Sequence, residues 1–190
     1  MQKSNIFIIS GPSGAGEDSV INGLEKIFPL ERVITTTTRK MRPGESQGNP
    51  YYFISTKEFL AKKNTNDFAE YAQEYNGNWY GVTKEELNRV ARSGKIGIWK
   101  IEYKGVITAK QKFPEIKSIY IAAPSLEILE QRIRRRDSNV TNQYIKERME
   151  YTKEWMRHEN IYDYKVINEE GKLNETIQKV AKIIKENAIQ

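Results

Sequence analysis

Residues 5–10 read NIFIIS, an apolar run rich in β-branched side chains, and lead without a break into GPSGAG at residues 11–16. A strand that meets glycines this dense must turn sharply, because glycine alone adopts left-handed backbone at no steric cost. Val20, Ile21, Leu24, Ile27 and Phe28 then recur at helical spacing until Pro29. The predicted order is strand, tight loop, helix.

The rest of the chain repeats that alternation. Residues 32–36 read as a second strand, and YYFIS at residues 51–55 as another, after an Arg, Gly, Pro and Tyr-rich stretch with no helical period. Thr83 followed by Glu86 fits a capping box, so a helix is expected from there to about Ser93, ended by Gly94. Residues 96–101 and 117–122 read as buried strands around a helix at 105–113. Helices are expected at 125–136 and 141–157, then a short strand YKVI at 164–167. A terminal helix should bury Leu173, Ile177, Val180 and Ile184 on one stripe. This pattern predicts an α/β class with a parallel sheet flanked by helices.

At 190 residues and 38% hydrophobic content, the chain has enough material for one globular domain. Its net charge of +6 suits an anionic partner, or simply a soluble basic surface. The chain has no cysteine, which excludes disulfides, thiolate nucleophiles and cysteine zinc sites. The single histidine, His158, lies in a charged helical stretch and reads as a surface residue rather than a metal ligand. The opening residues are too short an apolar segment for a membrane span and show no cleavage pattern. No membrane association and a cytoplasmic location are therefore expected.

GPSGAGED at residues 11–18 matches the phosphate-binding pattern GxxxxGK[ST] in its framing glycines and in its strand-loop-helix setting, but not in its last two positions. Such a loop turns backbone N–H groups toward phosphate oxygens while the next helix presents its positive end. Candidate nucleotide-binding residues are Gly11, Pro12, Ser13, Gly14, Ala15, Gly16, Glu17, Asp18 and Ser19. Glu17 replaces the lysine that neutralises the β and γ phosphates, and so should weaken ATP binding. Asp18 takes the place of the hydroxyl that ligates magnesium, and a carboxylate is also a hard-oxygen ligand. The plainer reading is that both acids only stabilise the first turn of a helix.

The next segment, TTTTRKMRPGE at residues 35–45, resembles the TTR-x-x-R-x-GE signature of guanylate kinases, with Tyr51 at the expected spacing. FAEYAQ at 68–73 and GNWYG at 77–81 are similar to that family's guanine-reading part. The resemblance spans nearly the whole chain. It implies that Arg39 and Arg42 grip the GMP phosphate, helped by Tyr51 and Tyr80, and that Glu70 accepts from guanine N1–H and the N2 amino group while Thr35 reaches the base. Val82 stands where relatives carry a hydroxyl. Arg132, Arg136 and Arg148 match arginines that hold charge on the transferring phosphoryl group. VINEE at 166–170 resembles the family's turn near adenine, which makes Asn168 a candidate contact for that base.

IWKIEYKG after Gly94 stands where the family pattern is close to LDIDxQG, so Lys100 and Glu102 replace two aspartates. Glu102 is expected in the substrate site. Glu17 and Lys100 are opposite departures on adjacent elements, and an ion pair between them is expected, with Lys100 offering its ammonium to ATP.

The implied fold is a P-loop NTPase-type sheet with core segments 1–32, 93–124 and 158–190, a GMP-binding region 33–92 and a lid 125–157. The implied reaction is phosphoryl transfer from ATP to GMP, and to dGMP, with Mg2+ held at Asp18. No nucleic-acid partner is expected, and the chain should be a monomer or weak homodimer. The competing reading is a silent module of the same family that holds GMP or a phosphorylated peptide. A ribosyl bisphosphate kinase, which YGV at 80–82 also resembles, would leave Glu70 idle.

Overall fold

The computed structural model describes residues 5–74, 77–136 and 141–189. Residues 1–4 and 190 of the expected core, and 137–140 of the expected lid segment, lie outside the described residues.

Strand β1 (Ile6–Ser10) shows how the core is organised. Successive side chains on a strand face opposite ways. Phe7 and Ile9 accordingly join one apolar cluster, and Ile6 and Ile8 the other. Its parallel neighbours β8 (Ile96–Lys100) and β9 (Lys117–Ala122) divide their side chains likewise, with Ile98, Ile119 and Ile121 on the first face and Trp99, Tyr120 and Ala122 on the second. With β2 (Leu30–Arg32) and β10 (Tyr164–Ile167) at the edges, the sheet runs β10-β9-β1-β8-β2, parallel throughout. Near-continuous apolar strands are what a parallel sheet covered on both faces requires.

Helix α1 (Glu17–Leu24) buries Val20, Ile21 and Leu24. It meets the terminal helix α7 (Leu173–Asn187) at Gly23, where an added methyl carbon would lie 2.2 Å from Ile177 Cδ1. The expected stripe on α7 holds for Ile177, Val180 and Ile184, but Leu173, on the first turn, is exposed. Helix α1 ends at Leu24; Ile27 and Phe28 pack from a turn whose N–H groups both return to the Leu24 carbonyl.

The expected strand at 32–36 is two strands. β2 ends at Arg32 in the first sheet, while β3 (Thr35–Thr37) belongs to a second sheet. That sheet, ordered β4-β5-β3-β7-β6, contains β4 (Ser46–Gln47), β5 (Pro50–Phe53), β6 (Phe68–Gln73) and β7 (Trp79–Thr83).

Helix α2 (Thr56–Asn64) was not expected from its pattern, since it buries only Phe59. Its start carries a full capping box, Ser55 with Glu58. Helix α3 (Lys84–Ala91) is capped by the Thr83 hydroxyl, but Glu86 does not return to the cap as the box predicts; its carboxylate is taken by Ile34 and Arg89. Helices α4 (Tyr103–Lys112), α5 (Leu126–Arg136) and α6 (Asn142–Met156) complete the described fold. Among the described residues, no helix is long and apolar enough to cross a membrane.

Candidate active site

The glycine loop leaves the carboxyl end of β1, which is where open parallel sheets bind ligands. Gly11 is packed so tightly that a methyl carbon on it would lie 2.4 Å from the Ile121 carbonyl oxygen. Gly16, with φ +96°, turns the chain into α1 through a left-handed conformation. The loop is braced from outside. Asn168, buried just after β10, donates Nδ2–H to the Ala15 carbonyl at 2.8 Å and accepts at Oδ1 from the Thr176 hydroxyl at 3.2 Å. Arg132 on α5 donates to the Asn168 carbonyl at 2.8 Å and the Gly14 carbonyl at 3.3 Å, and Arg136 reaches the Ser13 hydroxyl at 3.4 Å. Arg135, its neighbour, goes instead to Glu170.

Glu17 and Asp18 open α1, where the helix dipole favours acidic side chains. The expected pair between Glu17 and Lys100 is not formed. Lys100 Nζ bonds Asp18 Oδ2 at 2.7 Å. The difference is one of direction: the Glu17 side chain folds back under the loop, its Cγ 3.4 Å from a methyl placed on Gly11, whereas Asp18 is exposed on the first turn and meets the end of β8. Burial pushes the Glu17 carboxyl up to about 7, while the charge of Lys100 pulls it down.

The second sheet gathers the other candidates. Register places Thr35 opposite Tyr51, and Tyr80 opposite Thr37. The rings of Tyr51 and Tyr80 meet edge to face at 6.0 Å, and the Arg39 guanidinium lies 5.3 Å from the Tyr51 ring centre. Glu45 holds Arg39 in a two-point pair at 2.8 and 3.0 Å, and also accepts the Arg42 backbone N–H. Arg42 itself is exposed. Burial pushes the Tyr51 phenol above its ordinary value, with Tyr80 adding to the rise and Lys100 and Arg39 opposing it.

Glu70 is 5% exposed on β6. Burial pushes its carboxyl up to about 8, against a hydrogen bond from the Val82 backbone and the charge of Lys112. Gly105 on α4 faces it so closely that a methyl carbon there would stand 3.0 Å from Glu70 Oε2. Val82 itself is fully buried in the apolar cluster with Ala69 and Val106.

Glu102, at the N-terminal cap of α4, accepts from the Tyr151 hydroxyl on α6. Glu74, which sequence reasoning missed, also meets Glu102. Burial pushes Glu74 up to about 7, helped by the Glu102 carboxylate it bonds and opposed by Lys104 and Arg148. Its signal was the period-two spacing of residues 70, 72 and 74, which continues one residue past the end of β6. Arg148 sits on α6, bonding the Tyr144 hydroxyl at 3.0 Å. Thus Arg132 and Arg136 attach to the loop, while Arg148 acts on Glu74. His158, the surface expectation, is half-buried and stacks on Tyr103 at 4.6 Å.

A family model described as Guanylate kinase matches residues 3–187. The chain is 39% identical to the guanylate kinase of Buchnera aphidicola subsp. Schizaphis graminum over 90% of its own length and 83% of the relative's. It is 39% identical to that of Rickettsia prowazekii, over 96% and 91% respectively. The crystal structure of guanylate kinase from Anaplasma phagocytophilum superposes with a TM-score of 0.73 at 25% identity, covering 100% of this chain and 90% of that one. A family match over nearly the whole length, joined to a parallel sheet whose first strand feeds a glycine loop, places the chain in the guanylate kinase family of nucleoside monophosphate kinases.

Proposed function

We propose that the chain transfers the γ phosphoryl group of ATP to GMP, and to dGMP, which presents the same base edge and phosphate. The observation that carries this reading is the buried Glu70 carboxyl in the same sheet as the Arg39, Tyr51 and Tyr80 cluster. One carboxyl can accept from both guanine N1–H and N2–H, a pair that adenine lacks, so burial of the group without a fixed cationic partner serves base selection. Arg39, Arg42, Tyr51 and Tyr80 then hold the acceptor phosphate, with Thr35 and Glu102 toward the nucleoside.

On the donor side, the loop from Gly11 to Gly16 offers backbone N–H groups to the ATP phosphates, and Arg132, Arg136 and Arg148 hold charge as it spreads over the phosphoryl group. A GMP phosphate oxygen attacks Pγ in line; the new O–Pγ bond forms as the bond to the β-phosphate oxygen breaks, and its electron pair leaves with ADP. Among the described residues no cluster of three or more acidic or histidine side chains forms a metal cage. Mg2+ fits an open site of that kind, since it keeps waters and takes one or two carboxylates plus substrate phosphates. Asp18 and Ser19 would hold it, and it would offset phosphate charge there. Asn168 has both ends of its amide engaged within the protein, which favours a loop brace over an adenine contact.

Glu17 under the loop favours a second reading, a GMP-binding module whose donor side is silent. The test is GDP formation from GMP with ATP and Mg2+, beside AMP, CMP and UMP, with Arg39→Ala as control. Turnover confined to GMP and lost in Arg39→Ala supports the kinase. GMP binding without turnover supports the module.

A further inference from the structure

We propose that Lys100 replaces the lysine missing from the phosphate loop, delivering its ammonium from the neighbouring strand to the phosphoryl group as it passes between ATP and GMP. The inference deepens the phosphoryl-transfer reading and rests on it.

The backbone fixes where Lys100 can act. It is the last residue of β8 and pairs with Ile9, one residue before the end of β1. Both therefore stand at the carboxyl edge of the sheet, beside the loop. From there the side chain reaches the first turn of α1, 2.7 Å from Asp18 Oδ2.

Asp18 belongs to the first turn after the glycine loop, so an ammonium that reaches it stands beside the end of the loop where a helix N-terminus favours phosphate. A loop lysine serves the same role from the first residue of α1. Here that residue is acidic, and the compensating positive charge comes from the strand.

The resting pair with Asp18 does not trap the ammonium. The Lys100 side chain is 43% exposed and that of Asp18 65%, and pairs in such settings hold with little net energy. A triphosphate carries more negative charge than one carboxylate and draws the ammonium away. The ammonium's contribution is electrostatic.

The test compares binding of the β,γ-imido analogue of ATP with binding of ADP, by calorimetry, in the full chain and in Lys100→Met. Only the analogue carries a γ phosphate. Lys100→Met should weaken the analogue ~10–100-fold while changing ADP by no more than about threefold, and should lower kcat with GMP by on the order of a hundredfold or more. Lys100→Arg should retain part of both. A second check is Glu17→Lys in the Lys100→Met background, which should recover analogue binding by returning a cation to the loop. An unchanged ratio of analogue to ADP affinity in Lys100→Met, with turnover equal to the parent, overturns the inference while leaving the kinase reading intact. A parent that binds GMP without turnover, yet loses analogue selectivity in Lys100→Met, sinks the kinase reading and supports the Lys100 contact.

Discussion

Glu86 Oε1 accepts the backbone N–H of Ile34 at 2.8 Å, tying α3 to the point where the chain passes from the first sheet to the second. The same carboxylate, 4% exposed, takes Arg89, which continues to the Arg32 carbonyl at 3.0 Å and to Glu31 at 2.6 Å. Glu86→Ala strips a part-buried N–H of its partner and a half-exposed guanidinium of one of its two carboxylates, and should cost about 1–3 kcal/mol. Arg89→Ala should cost less, since Arg89 is half exposed and water replaces part of what it gives. Urea unfolding, read as a lower midpoint at unchanged slope, checks both. A loss in Glu86→Ala below ~0.5 kcal/mol would mean that solvent satisfies Ile34 and the brace is incidental.

This brace also explains why the crossing was illegible. Residues 32–36 form one β-rich run, and nothing local marks Val33 and Ile34 as the passage between sheets. The mark lies in Glu86, some fifty residues on. The core strands and the loop were legible because apolar alternation and glycine density are local signals. Helix α2 was not, because TKEFLAKKN offers one buried side chain and no stripe; its capping box at Ser55 and Glu58 was the usable sign. The charge swap was visible in residue types, yet the choice between Glu17 and Asp18 depends on which way each side chain leaves the first helical turn. Residue spacing does not carry that direction.

Stability of the ligand-free chain should fall as pH rises from 6 toward 8. Burial raises Glu70 to about 8, and Glu17 and Glu74 to about 7. Unfolded glutamates release their protons near 4.3, so above that pH the folded chain binds more protons than the unfolded one. The stability linked to this uptake is full below about 4.3 and is lost as pH passes through each raised folded value. Glu70→Gln, which cannot ionise, should flatten the upper part of the profile. Thermal melts at intervals across pH 5–9 measure it; a midpoint that rises toward pH 8 in the parent contradicts the assignment.

Binding of GMP near pH 7 should release a proton. In the free protein the Glu70 carboxyl holds its proton, being raised to about 8. In the proposed pose guanine N1–H and N2–H both donate to Glu70, and two donors aimed at a carboxyl favour its ionised form, so the bound value should fall. Calorimetry in buffers of different ionisation enthalpy counts the proton directly. Release should approach one at pH 7 and vanish by pH 9, where Glu70 is already ionised before GMP arrives. Release that persists at pH 9 would assign the proton to another group.

Asn168 and Gly16 should show coupled energies. Asn168→Ala leaves the Ala15 carbonyl without its partner in a buried setting, at about 1–3 kcal/mol, while the Thr176 hydroxyl keeps the Lys172 carbonyl at 3.2 Å. Gly16→Ala has two separate costs: the left-handed φ of +96°, and a methyl carbon 2.5 Å from Asn168 Nδ2. The first is on the order of 1–2 kcal/mol and survives in any background. The second disappears once Asn168 is truncated, because the clashing atom is gone. The double variant should therefore be more stable than the sum of the singles predicts, by about 1 kcal/mol or more. Additivity would show that the amide moves aside freely and exerts no pressure on the loop. Coupling would mean that the turn after β10 helps set the shape of the glycine loop, a constraint that reaches from residue 168 back to residue 16.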